Sequence, residues 1–205
     1  AMETIFQSFF LIIIGFLAGI INTLAGGGSL FTLPVLILLG LPPTVANGTN
    51  RIAIIIQSLF GTLGYKSKGI SSFPFNIYLG ISSSIGALIG AYIAIDFNEI
   101  LFNKVLAIIM VFVGILILFR KKNIELNLTE RLGGKHLFWT ILGFFFIGIY
   151  GGFINAGIGI VIMLILNRYN KMTLVKTNAT KVSIVLIYSL FALIVFANND
   201  AINWE

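Results

Sequence analysis

Gly15-Phe16-Leu17-Ala18-Gly19-Ile20-Ile21-Asn22-Thr23-Leu24-Ala25-Gly26-Gly27-Gly28-Ser29 is the stretch on which the fold turns. An apolar run that begins near Thr4 ends at Ala25 in three consecutive glycines, and a second apolar run, Ser29–Leu41, follows at once. A membrane-spanning helix takes about 20 apolar residues at 1.5 Å rise each. The first run reaches that length. The second, at about 13 residues, covers only about 20 Å as a helix, so it reads as a short, broken or re-entrant segment. A long helix, a glycine break and a short helix predict a polytopic helical membrane protein.

Composition agrees. Of 205 residues, 58% are hydrophobic and only 10% are charged, with a mean hydropathy of +1.05. A soluble domain carries roughly 25% charged residues, so the apolar excess here must face lipid. The chain has no cysteine and one histidine, His136. That excludes disulfides, thiolate catalysis, cysteine metal sites and histidine clusters, and no cofactor is expected. The +6 net charge does not indicate nucleic acid, because the basic residues sit in short loops between apolar runs.

Further long segments run near Asn76–Ile95, Ile100–Phe119, Leu137–Ala156 and Thr180–Ala197. Another opens at Ala46 with Asn47-Gly48-Thr49-Asn50-Arg51 and stays apolar to about Gly64, and Gly157–Tyr169 is the second short one. Lys66 and Lys68 follow the third segment, Arg120, Lys121, Lys122, Arg131 and Lys135 the fifth, and Arg168, Lys171 and Lys176 the seventh. The other connections carry Asp96 and Glu99, with Glu3 before the first segment and Asp200 and Glu205 after the last. If both short segments cross, all three basic loops share one side, the cytoplasmic one. Eight crossings with the N-terminus outside follow, and Trp139 and Trp204 fall near opposite interfaces. The first segment is read as a retained helix: it lacks a basic n-region, contains Glu3 and shows no clear cleavage site. Ala1 before Met2 reads as a cloning scar.

Two stretches 131 residues apart match, as Asn47 does Asn178. Asn47-Gly48-Thr49-Asn50 falls on Asn178-Ala179-Thr180-Lys181, Ser58-Leu59-Phe60 on Ser189-Leu190-Phe191, and Ala25-Gly26-Gly27-Gly28 on Ala156-Gly157-Ile158-Gly159. An odd number of crossings between equivalent points inverts the second unit, a recurrent transporter plan. The expected organisation is a first membrane repeat over 1–119, a cytoplasmic loop over 120–136 and a second repeat over 137–205. Counterparts of the fourth and fifth segments would begin near Trp204, so the second repeat is expected to be incomplete.

None of the seven acids lies in the middle of an apolar segment, which argues against a proton relay or cation carrier. Arg51 and Lys181 do enter the apolar zone, each at the end of an Asn-x-Thr motif. One reading makes the two motifs a single anion site: helix N-termini supply N–H groups, Asn47, Thr49, Asn50, Asn178 and Thr180 neutral hydrogen bonds, and Arg51 and Lys181 charge. The other makes Asn and Thr helix caps while Arg51 and Lys181 snorkel to an interface. Gly26-Gly27-Gly28-Ser29 lacks the Lys-Ser/Thr of a nucleotide loop and suits unwound backbone lining a polar cavity. Gly157 and Gly159 match it in the second copy. Gly15 with Gly19, Gly86 with Gly90, and Gly143, Gly148, Gly151 and Gly152 suit close helix packing.

The run from Gly15 to Ser29, then Leu33-Pro34 and Val45-Ala46-Asn47-Gly48-Thr49-Asn50-Arg51, resembles the sulfite/taurine exporter (TauE/SafE) family of membrane permeases, and Gly143 to Lys181 resembles its second signature. The resemblance implies a secondary transporter, an exporter of sulfite, sulfonates or related small organic anions, in the inner (plasma) membrane and not an enzyme. It carries over to the Gly26–Ser29 break and to Asn47, Thr49, Asn50, Asn178 and Thr180, whereas Arg51 and Lys181 rest on their charge. The partners expected are a small anion and the bilayer, with homodimerisation left open; a non-transporting membrane subunit or anion-binding module is the alternative. The topology predicts that Lys122→Cys reacts with an impermeant thiol reagent in inside-out vesicles. Labelling in intact cells would invert it.

Overall fold

The computed structural model describes residues 2–118 and 129–204, with side chains from residue 12 onward. Eight helices account for the described chain: α1 (Met2–Leu24), α2 (Ser29–Leu38), α3 (Pro43–Ser67), α4 (Phe75–Ile95), α5 (Glu99–Leu118), α6 (Gly134–Phe153), α7 (Ile158–Arg168) and α8 (Leu174–Asn198). The helix count and the two short helices match the sequence reading. Among the described residues four helices, α4, α5, α6 and α8, are long and apolar enough to cross a membrane. At 10 and 11 residues, α2 and α7 cover about 15 Å each, half the hydrocarbon core. The chain is a multi-pass, all-helical membrane protein. Arg120, Lys121, Lys122, Ala1 and Glu205 lie outside the described residues, as does most of the expected 120–136 loop.

The polar motifs do not open their helices. α3 begins at Pro43, because proline at the first position needs no N–H partner and is preset for the helix. α8 begins at Leu174, where the Thr173 side chain accepts the N–H of Lys176. Asn47 to Arg51 and Asn178 to Lys181 therefore lie one to two turns inside their helices, with no helix N-terminus to offer. For the same reason they are not caps.

α8 is the central helix. It packs against α3, α4 and α7, burying Ile184, Tyr188, Ala192 and Phe196 in the main core. α4 and α6 run parallel at backbone contact. Ser82 and Ser83 donate across the interface to the carbonyls of Ile141 and Phe144, at 2.7 and 3.1 Å. A Cβ at Gly86 would stand 2.1 Å from the Phe145 oxygen, and one at Gly152 2.1 Å from the Ala87 oxygen. Small residues are needed because helix association in lipid depends on close packing and polar bonds rather than on leaving water. Gly90 and Gly148 do the same work, while Gly151 meets Ile158 and Tyr188. Gly15 and Gly143 do not: a Cβ at either meets nothing within 4 Å, so the expected packing role is corrected for these two.

The ends of the bundle sort the loops. Arg131 N–H donates to the Asn170 carbonyl at 2.9 Å, Lys176 pairs with Glu130 at 2.5 Å, and Thr180 donates to Ser72 at 2.7 Å. The α3–α4 turn, the approach to α6 and the α7–α8 turn thus share one end, the basic one. At the other end Thr44 reaches the Ala94 carbonyl at 3.5 Å, and Thr49 accepts the Asn203 N–H at 2.9 Å. Gly19 lies beside Gln57, and Gly61 beside Val182, whose neighbour Lys181 holds the Asn22 and Thr23 carbonyls. α1 therefore runs parallel to α3 and starts at the end opposite the basic loops. Trp139 and Trp204 stand at opposite ends, both exposed.

Gly152→Ala is expected to lower thermal stability by about 1–3 kcal/mol or more, since the backbone must part. Gly143→Ala should stay within about 1 kcal/mol of the parent; unfolding in detergent compares them.

Candidate functional site

α1 ends where Gly26 takes a left-handed conformation, φ +81°, which a Cβ would oppose. α6 ends at Phe153, and Gly157, at φ +70°, leads into α7. These two breaks meet. A Cβ on Gly26 would lie 2.4–2.8 Å from the backbone of Gly159, and one on Gly159 2.5–2.9 Å from that of Gly26. Gly27 packs against Ile160, Gly28 against the Ala18 carbonyl, and Gly157 against Val113.

Helices that stop inside a bundle leave carbonyls without partners and a partial negative charge. In α1 these are met by Lys181. Its ammonium donates to the carbonyls of Asn22 and Thr23 and to Asn178 Oδ1, each at 2.9 Å, and it lies 3.8 Å from Met163 Sδ. In α6 they are met by Arg51, whose Nη2 donates to the Gly151 and Gly152 carbonyls at 2.9 and 2.5 Å. Asn47 adds a bond to the Phe153 carbonyl at 2.7 Å. Arg51 is 0% and Lys181 1% exposed, so neither snorkels. The guanidinium also sits 4.7 Å from the Phe196 ring centre, and its Nε and Nη1 have no partner among the described residues.

Beside the crossing lies a cavity midway along α3 and α8. Asn22, Thr23, Gly26 and Ser29 line it from the first break, and Asn155, Ile158 and Gly159 from the second. Ile54, Gln57 and Ser58 of α3 and Lys181, Val182 and Val185 of α8 complete the wall. Its free volume is about 20 Å³, room for one water and less than any sulfur oxyanion requires. Asn22 Oδ1 accepts the Ser29 N–H at 3.2 Å, covering the start of α2. No group of three acids or histidines among the described residues could hold a metal ion.

Of the residues singled out from sequence, Gly26, Ser29, Gly159 and Lys181 come together in this cavity. Arg51 does not line it. Asn50 accepts a bond from Thr32 at 2.8 Å, Thr49 holds Asn203, and Thr180 bonds Ser72 and the Lys176 carbonyl. Sequence reasoning passed over Asn22, Ser58 and Asn155. The signal for two of them was present: an amide within four residues ahead of a glycine break in an otherwise apolar run.

The sulfite exporter TauE/SafE family profile matches residues 11–205, and the chain belongs to that family of membrane transporters. A probable membrane transporter protein of Haemophilus influenzae is 29% identical over 151 residues, covering 74% of this chain and 58% of that one. The probable membrane transporter protein YfcA of Escherichia coli is 29% identical over 153 residues, 73% of this chain and 55% of YfcA. The chain thus spans little more than half the length of these curated relatives. No solved structure matches it.

Gly26→Ala is expected to abolish the compact folded state in detergent, judged by size-exclusion elution and thermal unfolding. Gly27→Ala, whose Cβ meets only the Ile160 side-chain tip at 3.1 Å, should retain it.

Proposed function

We propose that the chain forms the substrate path of a secondary transporter for small anions, sulfite and sulfonates first among them. The observation that carries this reading is Lys181: a buried cation on the wall of a central, polar, glycine-walled cavity with no carboxylate among its lining residues. An anion there would take an ammonium N–H from one of the carbonyls that Lys181 holds, and would exchange the rest of its hydration for the neutral donors of Ser29, Gln57 and Ser58. Its negative charge would offset the cost of the buried cation. The small cavity would be a closed state. Transport would open it alternately to either side by moving the α1–α2 and α6–α7 units against one another at Gly26 and Gly159, as two inverted repeats would. The positive-inside rule would put the basic end in the cytoplasm and the N-terminus outside, in the plasma membrane. Sulfite exporter, the name of the matched family, supports both substrate class and direction.

The expected outcome is that sulfite or a small sulfonate raises the melting temperature of the purified chain, and that Lys181→Gln removes the shift. Arg51→Gln should lower stability without removing it. Saturable sulfite flux in vesicles, absent in Lys181→Gln, would establish transport. Binding without flux would mark an anion-binding subunit, and no shift with any anion would sink the site.

A further inference from the structure

We propose that the groove between α6 and α7 at the basic end is a binding site for an anionic phospholipid. One acyl chain lies in the groove and the phosphate among the cations at its mouth. The groove, about 550 Å³, is lined by Trp139, Thr140, Gly143, Ile165 and Tyr169. It faces outward: Trp139 is 57% and Tyr169 37% exposed, and Phe138 and Phe146 beside it are more exposed still. Gly143 makes the floor, since a Cβ there meets nothing within 4 Å. On a multi-pass membrane protein an outward apolar groove meets acyl chains. Trp and Tyr at its mouth mark the headgroup level.

The charge around that mouth makes the site selective. Lys135 lies one helical turn before Trp139 and so on the same face. Arg168 ends α7 immediately before Tyr169, and Lys171 follows two residues later. Arg131 is tied to the same turn: its N–H donates to the Asn170 carbonyl, and Asn170 Nδ2 donates back to the Arg131 carbonyl, both at 2.9 Å. Asn170 Nδ2 also donates to Thr140 of the groove at 2.9 Å, which binds the cationic turn to the lining. Among the described residues the one acid at this end is Glu130, already paired with Lys176 at 2.5 Å. Four cations therefore lie in the segments that flank the mouth, and among the described residues none of them has an ion-pair partner. A zwitterionic headgroup would bring its own cation against them, whereas a net-negative one is attracted without offset.

The test uses tryptophan quenching in the chain carrying Trp204→Phe, which leaves Trp139 as its single tryptophan. The protein is reconstituted in phosphatidylcholine vesicles with a minor fraction of acyl-brominated phosphatidylglycerol or of acyl-brominated phosphatidylcholine. Phosphatidylglycerol is expected to quench Trp139 at least threefold more at equal fraction. Raised salt, and the pair Arg168→Gln with Lys171→Gln, should remove that preference. Gly143→Leu, which fills open space and leaves the fold intact, should remove it with an unchanged melting temperature. Short-chain phosphatidylglycerol should displace the brominated lipid, and glycerol phosphate at the same concentration should not. Equal quenching by the two lipids, or an unaltered preference in Gly143→Leu, overturns the proposal. Displacement by glycerol phosphate alone would show a free-phosphate site and overturn it too.

Discussion

Two helices end inside this bundle, and the carbonyls they leave have no partner within their own helix. In hydrocarbon each such group would cost several kcal/mol. Lys181 and Arg51 resolve both cases, each reaching from a long helix to the end of a broken helix at least a hundred residues away in sequence: α8 to α1, and α3 to α6. A buried cation is itself costly, so helix end and cation are tolerable only together. This mutual requirement ties α8 to α1 and α3 to α6 around the crossing of Gly26 with Gly159 and the water-sized cavity beside it.

The same requirement separates two residues that look equivalent as sequence. Lys181 closes the α1 end and also lines the cavity, with its three N–H donors on the Asn22 and Thr23 carbonyls and Asn178 Oδ1; a bound anion would have to take one of those bonds. Arg51 closes the α6 end beside Phe196, away from the cavity. A transporter that moves its broken helices must break or carry along these bonds. The proposed exchange of carbonyl for anion at Lys181 therefore links occupancy of the site to mobility of α1.

Much of the fold was legible because hydropathy and helix length are one-dimensional properties. The number of segments, the two short helices and the breaks at Gly26 and Gly157 follow from runs of apolar residues and from where glycine interrupts them. The grouping of basic connections at one end came from counting charges, and the bonds from Arg131 to Asn170 and from Lys176 to Glu130 agree for the described part. Helix starts were less legible. Asn47 and Asn178 look like caps, yet Pro43 and Thr173 do that work one turn earlier, because a preset φ or a hydroxyl acceptor serves as well as an amide. Gly15 and Gly143 carry the same packing signature as Gly86 and Gly152; only the neighbours tell them apart.

By itself the sequence determined the class of protein, the helix lengths, the places where helices break and the shortage of acids in the apolar zone. All follow from transfer energies and backbone freedom residue by residue. Tertiary structure alone decided which glycines touch, which polar side chains are spent on carbonyls and which remain around the cavity. Those outcomes depend on distances between residues more than a hundred positions apart, such as Lys181 and Asn22. A buried donor in lipid takes whichever acceptor the packing brings within reach, and no local pattern records that choice.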